Sequence, residues 1–140
     1  MKGRFFLDSN ILIYTFDHTA QQKAKRASQL VRLALESGEG VISYQVAQEF
    51  FNFALRRLSL PMTTAEAEQY LTTVLRPLLA VHSSIALYFE ALRLAERYKL
   101  HWFDSLVVAA ALESGCERLY TEDLQHGQKI ESLRIENPFA

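Results

Sequence analysis

The chain has 140 residues, a formal net charge of -1, 49% hydrophobic residues and 22% charged residues. This length predicts a single domain over residues 1–140 with one hydrophobic core, and the composition is ordinary for a globular protein. Because the chain is almost neutral, it has no bulk attraction for nucleic acid. A polyanion would have to be held by a local basic patch or a bound cation, which argues against a pure nucleic-acid-binding module.

Three further features predict a cytoplasmic protein. Cys116 is the only cysteine, so no intramolecular disulfide can form, and we expect it to be a small buried hydrophobe. Residues 1–4 lead directly into an apolar strand, whereas a signal peptide would continue into a long apolar region. No apolar run in the sequence reaches the length of a membrane span.

The first third of the chain alternates short apolar runs with helical patterns. In chain order we predict a strand over residues 4–8, a short helix beginning near residue 11, a helix over residues 19–37, a strand at residues 41–42 and a helix over residues 44–58. Ser9-Asn10 and Ser43 are candidate helix caps. Gly38 is the expected end of the second helix.

The rest of the chain continues the alternation. In chain order we predict a helix from residue 63 to near residue 75, a strand over residues 78–82, helices over residues 84–98 and 104–114, and strands at residues 119–120 and 133–136. Thr63 and Glu66 fit a capping box, Pro77 should end or kink its helix, and Gly115 should end the last helix. Strands that alternate with helices predict an α/β fold with a mostly parallel sheet.

The helix over residues 84–98 has an apolar face, whose members are Ile85, Tyr88, Phe89, Leu92 and Ala95. The next helix is apolar nearly all round, which predicts a position at the centre of the core.

Four acidic residues end or interrupt the core-forming segments: Asp8, Glu49, Asp104 and Asp123. Carboxylates are almost never fully buried unless they are paired or bound to a cation. Asp8 and Asp123 both follow predicted strands, at the carboxyl edge of the sheet where open α/β folds bind ligands. One such residue would be ordinary, but four of them predict a convergent cation site.

Each acidic residue also has a purely structural interpretation. Asp8 and Asp123 suit turns or helix caps, and Asp104 suits the first turn of a helix. Trp102-Phe103 argue against a simple solvent-exposed cap at Asp104, because these bulky aromatics hold it against the core. Glu49 lies in a helix interior, where capping does not apply, and the alternative is a glutamate that extends into solvent.

An all-oxygen site selects a hard cation such as Mg²⁺ or Mn²⁺, whose charge stabilises clustered carboxylates in their ionised forms. One or two such ions can activate water for in-line attack on a phosphodiester. The histidines show no zinc spacing, and no phosphate-binding glycine loop or nucleophile elbow occurs. His126 and Lys129 could reach a phosphate, although plain surface residues are the better interpretation.

The same residues resemble the motifs of the PIN-domain nucleases. The resemblance consists of four blocks in the family's order, over nearly the entire chain: Phe6–Tyr14, Gln48–Phe50, Trp102–Ala111 and Leu119–Leu124. The size of the chain is similar to that of the VapC toxins of bacterial type II toxin–antitoxin modules.

This resemblance implies a three-layer α/β/α fold with a mostly parallel central sheet. It also implies an endoribonuclease that cleaves phosphodiester bonds of cytoplasmic RNA with Mg²⁺ or Mn²⁺. The protein would form a homodimer and would be inhibited by a cognate antitoxin whose tail occupies the active-site groove.

The resemblance further implies roles for individual residues. Asp8, Glu49, Asp104 and Asp123 would form the acidic, metal-binding and catalytic set. Asn10, Ser105 and Thr121 would be polar supports. Either Glu122 or Asp123 could face the metal, and Asp123 is preferred because its position matches the family block.

Three other functions are compatible with parts of the pattern. A PIN-like module could bind RNA or assemble with partners without catalysis, although the complete acidic set argues against a degenerate site. A housekeeping RNA-processing nuclease would share the same residues. A receiver-like or phosphohydrolase domain would carry an Asp-x-Asp motif after its first strand, which this chain lacks.

Overall fold

The computed structural model of the protein describes residues 3–140 and has a six-stranded sheet at its centre. The strands are β1 (Arg4–Leu7), β2 (Gly40–Ser43), β3 (Leu79–Val81), β4 (Cys116–Tyr120), β5 (Lys129–Ile130) and β6 (Leu133–Glu136). Their order is β3-β2-β1-β4-β6-β5, and all pairs are parallel except the antiparallel pair β5–β6. The predicted mostly parallel sheet is confirmed.

Helices connect these strands. They are α1 (Ser9–Tyr14), α2 (Gln21–Ser37), α3 (Tyr44–Ala54), α4 (Thr64–Tyr70), α5 (Arg76–Leu78), α6 (Ile85–Tyr98) and α7 (Trp102–Glu113). The Ser43 hydroxyl accepts from the Val46 N–H at 3.2 Å, and Thr63 forms a full capping box with Glu66. Gly38 ends α2 in the left-handed conformation, so these predicted helix boundaries are confirmed.

Several element boundaries differ from the predictions. Helix α1 begins at Ser9 and is capped by Asp8, because the Asp8 side chain accepts the Ser9 N–H. Helix α7 begins at Trp102, so Asp104 is the third residue of the helix and not its cap. Helix α3 ends at Ala54, four residues early. The two-residue strand β5 was not predicted, since its short sequence carries no period of its own.

The predicted irregularity before Pro77 is also present. A π-helical turn, Leu71–Leu75, joins α4 to α5, which contains Pro77 near its start. Proline lacks the N–H that a regular helix needs, and a shift in the hydrogen-bonding pattern accommodates this loss.

Helices cover both faces of the sheet. Phe5, Phe6 and Leu7 of β1 are all fully buried, although alternate residues of a strand point to opposite faces. Both faces of β1 are therefore packed, with α2 in contact with β2 and α7 in contact with β2, β4 and β6. This arrangement is the predicted three-layer α/β/α fold, and Ser105–Ala111 of α7 are buried as expected for a central helix.

The predicted apolar face of α6 is the exposed one. Leu87, Ala91 and Leu94 pack into the core, whereas Ile85 is 71% exposed and Phe89 is 69% exposed. This helix is apolar on two faces, so periodicity alone does not select the buried one. In the described part of the chain, no helix combines the length and the apolarity needed to cross a bilayer.

The parallel strands set the place of the acidic residues. Strands β1 and β4 run in the same direction with Leu7 opposite Tyr120, so the residues that follow them meet at one edge of the sheet. The Asp8 N–H donates to the Tyr120 carbonyl oxygen at 3.1 Å. Asp8 and Thr121 therefore become neighbours although more than a hundred residues separate them.

Candidate active site

Asp8 is the buried member of the acidic set, with 4% of its surface exposed. Its Oδ1 accepts the Ser9 N–H at 2.7 Å, and its Oδ2 accepts the Thr121 hydroxyl at 2.8 Å. The pKa of Asp8 is raised to about 7, chiefly by burial and to a lesser extent by the charges of Asp123 and Glu49, while its hydrogen bonds to Thr121 and Ser9 oppose the rise. Asp8 is thus a helix cap, as the structural interpretation suggested, but one that lies within reach of two other acidic charges.

Glu49 joins this site through hydrogen bonds to both of its oxygens. The Ser9 hydroxyl donates to Oε1 at 3.1 Å, and the Gln45 side-chain amide donates to Oε2 at 3.2 Å. The same amide donates to the Phe103 carbonyl oxygen at 3.3 Å. Glu49 therefore does not extend freely into solvent, and Gln45 links its helix to the first turn of α7.

Thr121 is the centre of the second half of the site. It is fully buried, and besides donating to Asp8 it accepts the Asp123 N–H at 3.1 Å and the Asn10 side-chain amide at 3.3 Å. Asn10 also donates to Oδ2 of Asp123 at 3.1 Å. One hydroxyl and one amide thus connect the end of β1, the start of α1 and the segment after β4.

Asp104 approaches the cluster from α7. Its pKa is raised chiefly by partial burial and then by the charge of Asp123, while His101 opposes the rise. Asp104 and Asp123 are therefore close enough for their charges to interact. Ser105 is fully buried, but its hydroxyl donates to the Trp102 carbonyl oxygen at 2.6 Å, so its hydrogen bond is local to the helix.

The donor set fits a hydrated hard cation. All four acidic groups present oxygen, which suits Mg²⁺ or Mn²⁺ and not a structural zinc. Over residues 3–140, no three His, Cys, Asp or Glu side chains converge closely enough to ligate one ion directly. Mg²⁺ usually keeps several waters and is held through one or two carboxylates, so this spacing leaves room for water. A cation would also relieve the repulsion that contributes to the raised pKa values of Asp8 and Asp104.

Ser9, Gln45 and Lys23 contact Asp8, Glu49 or the neighbouring Glu122, although the sequence analysis gave them no role in the site. Ser9 was considered only as a helix cap, yet its hydroxyl lies between Asp8 and Glu49. Gln45 lies one turn before Glu49, and this spacing of four is a signal that was present in the sequence. Lys23 contacts Glu122 across 99 residues, and no local pattern indicates that pair.

Comparison with known families decides the classification. A family model described as the PIN domain matches residues 5–129. The chain belongs to the PIN domain family. The resemblance of the four sequence blocks to this family is therefore confirmed. No protein of curated function matches the sequence.

Solved structures with the same fold include components of toxin–antitoxin systems. A toxin–antitoxin complex from Klebsiella pneumoniae is 23% identical, with a TM-score of 0.66 over 95% of this chain and 96% of that chain. Mycobacterium tuberculosis VapC20, described as a sarcin–ricin loop cleaving toxin, is 20% identical, with a TM-score of 0.63 over 85% and 89%. FitAcB from Neisseria gonorrhoeae is 16% identical, with a TM-score of 0.63 over 96% and 98%. At these identities the likeness shows the fold.

Proposed function

We propose that this PIN domain is an Mg²⁺- or Mn²⁺-dependent endoribonuclease that cleaves RNA phosphodiester bonds as the toxin of a type II toxin–antitoxin pair. The main support is that acidic residues from four separate segments are linked near one edge of the sheet. Ser9 joins Asp8 to Glu49, Thr121 joins Asp8 to Asp123, and the charge of Asp123 reaches Asp104. A module that only binds RNA could use Asp8 as a helix cap, but it has no need of further carboxylates near this buried charge, which make its ionisation unfavourable. Cation binding would explain why a carboxylate is kept in this unfavourable place.

In this proposal Asp8, Glu49, Asp104 and Asp123 hold the cation, directly or through water. The cation would supply activation of a water nucleophile and neutralisation of charge on the phosphate. The Thr121 hydroxyl favours the ionised form of Asp8, because it donates to the carboxylate. Asn10 orients Asp123 by donating to Oδ2, and Ser9 holds Glu49 beside Asp8.

Two protein partners belong to the proposal. The first is a cognate antitoxin, by analogy with the Klebsiella pneumoniae structure, which is described as a toxin–antitoxin complex. The second is another copy of this chain. We place the dimer interface on the outer face of α6 and the adjoining start of α7, a surface we call the α6 face: Ile85, Tyr88, Phe89, Leu92, Trp102 and Phe103.

The size of the α6 face supports the dimer. Its six large residues are between 36% and 71% exposed and together present on the order of 600 Å² of mainly apolar surface. The rings of Tyr88 and Trp102 are in edge contact at 5.6 Å, so the face is continuous between the two helices. A standard interface buries about 800 Å² per partner, so the α6 face is large enough to form the apolar centre of such an interface.

Growth of bacterial cells that express the protein tests the proposed toxin activity. Wild-type expression is expected to arrest growth and fragment cytoplasmic RNA. Asp104→Asn keeps the shape of the side chain but removes its charge, so we expect it to abolish both effects. Glu68→Gln makes the same chemical change at an exposed position of α4, away from the acidic set and from the α6 face, and should leave both effects intact.

Growth arrest that Asp104→Asn does not diminish would contradict the proposal. RNA cleavage without growth arrest would favour a housekeeping RNA-processing nuclease. Tight RNA binding without cleavage would favour an assembly module.

A further inference from the structure

Both oxygens of Glu122 are held by side chains from other parts of the chain. The Tyr14 hydroxyl of α1 donates to Oε1 at 2.6 Å, and the Lys23 ammonium of α2 donates to Oε2 at 2.6 Å. Lys23 also donates to the Tyr14 hydroxyl oxygen at 3.3 Å. We call Tyr14, Lys23 and Glu122 the clamp. It fixes the carboxylate that directly precedes Asp123 in the sequence.

Two aromatic rings contact the Lys23 ammonium of the clamp. The Lys23 ammonium lies 4.9 Å from the centre of the Tyr14 ring and 5.5 Å from the centre of the Phe139 ring. Those two rings meet edge to face at 4.9 Å. Because this lysine forms an ion pair and also contacts two rings, its side chain is held in one position, unlike that of a typical exposed lysine.

Helix α1 separates the two neighbouring carboxylates. Asn10 and Tyr14 are four residues apart on α1 and therefore lie on one face of that helix. Asn10 donates to Asp123, while Tyr14 donates to Glu122. The Asn10 side-chain oxygen also accepts the Glu122 N–H at 3.4 Å. The two acidic side chains therefore bind different residues of α1: Asp123 binds Asn10, and Glu122 binds Tyr14.

We infer that Lys23 and Tyr14 are positioning residues that keep Glu122 out of the cation site and thereby hold Asp123 in it. This inference rests on the proposed function, because it assigns the fourth carboxylate of that cation site. Lys23 and Glu122 neutralise each other, so Glu122 adds no further net negative charge to the site. The clamp also anchors the segment 121–123, which carries Thr121 and Asp123.

Calorimetry with purified protein tests the inference by measuring the Mn²⁺ affinity of three variants. What decides is whether each substitution raises or lowers that affinity. If only charge mattered, Lys23→Met would raise the affinity, Glu122→Gln would lower it, and Tyr14→Phe would leave it unchanged. If the clamp positions Asp123, all three substitutions lower the affinity, each by roughly tenfold, as is typical of residues that orient metal ligands. The Lys23→Met/Glu122→Gln double variant should be no weaker than the weaker single variant.

Hydrogen exchange in the metal-free protein supplies a second readout. The Asp123 N–H donates to Thr121 and the Glu122 N–H to Asn10, so release of the clamp should speed exchange of these two amides in Lys23→Met and Tyr14→Phe. Arg93→Met is the matched control, since Arg93 forms a comparable helix-to-loop ion pair with Glu131 at 2.9 Å and a similar exposure. It should change neither the Mn²⁺ affinity nor these amides.

Three results would overturn the inference. The first is a Mn²⁺ affinity that Lys23→Met raises or leaves unchanged. The second is a loss of Mn²⁺ affinity in Glu122→Gln as large as that in Asp123→Asn, which would make Glu122 itself a ligand. The third is unchanged exchange of the two amides. A wild-type protein that binds no Mn²⁺ would instead refute the proposed cation site, and the amide exchange would still decide whether the clamp holds the segment.

Discussion

At the scale of single residues, Asp8 is the buried member of the acidic set. This burial and, to a lesser extent, two neighbouring acids raise its pKa to about 7, against 3.8 for an ordinary aspartate. Hydrogen bonds from Ser9 and Thr121 compensate only in part. Near neutral pH a proton and a cation would therefore compete for this carboxylate.

This environment predicts a pH-dependent stability for the metal-free protein. Between about pH 4 and pH 7 the unfolded chain releases the Asp8 proton while the native protein keeps it. The free energy of unfolding contributed by this group therefore falls as the pH rises through that window. In thermal melts with EDTA from pH 5 to pH 8, wild type should lose more stability than Asp8→Asn. Equal pH slopes in the two proteins would contradict the raised pKa.

Residue-level prediction from sequence succeeds where the backbone dictates the neighbour. Asp8 and Thr121 follow adjacent parallel strands, so their meeting follows from the fold. The choice between Glu122 and Asp123 could not be made in this way. It depends on Lys23, which lies 99 residues from Glu122 in the sequence, and on which side chain it pairs with.

At the scale of elements, α1 organises the site although it has only six residues. An isolated helix of that length is unstable in water, so its geometry is maintained by packing. Its own residues Ile11 and Leu12 are fully buried. On the other side, the cap Asp8 and the helix residues Asn10 and Tyr14 hydrogen-bond to the segment after β4. The sequence predicted the helix from its capping residues, but its contacts with residues 121–123 are long-range.

Helix α6 shows the opposite case, in which the element was predicted and its orientation was not. Its two apolar faces have the same helical period, and only the packed fold reveals that Leu87, Ala91 and Leu94 are inside. An apolar face of this size on the outside calls for a partner surface.

Substitution of Phe89 tests the proposed dimer on the α6 face. Phe89→Ser removes a large apolar side chain that is 69% exposed, so we expect a dimer in wild type and a monomer in the variant. The substitution should change the stability of the individual folded chain little, because this side chain is mostly exposed. Leu60→Ser is the control, because Leu60 is 81% exposed outside this face. Sedimentation velocity measures the oligomeric state of both variants. A Phe89→Ser protein that remains a dimer would contradict the proposed interface on the α6 face.

At the scale of the whole molecule, parallel topology turns four distant segments into one site. The strands β1 and β4 deliver Asp8 and Thr121 to the same edge. Helix α3 brings Glu49 to Ser9, next to Asp8, and helix α7 brings Asp104 within reach of the charge of Asp123. The alternation of strands and helices made this architecture predictable. The hydrogen bonds that join Glu49 to Ser9 and Gln45 to Phe103 depend on side-chain positions that no periodic pattern encodes.

RNA cleavage by the purified protein as a function of Mg²⁺ tests the central claim most directly. We predict that wild type cleaves RNA with Mg²⁺ or Mn²⁺, stops in EDTA, and resumes when the cation is restored. Asp8→Asn and Asp104→Asn should fold but cleave at least about 100-fold more slowly, because each removes a charge that holds the cation. Cleavage that persists in EDTA, or that neither substitution diminishes, would contradict the account.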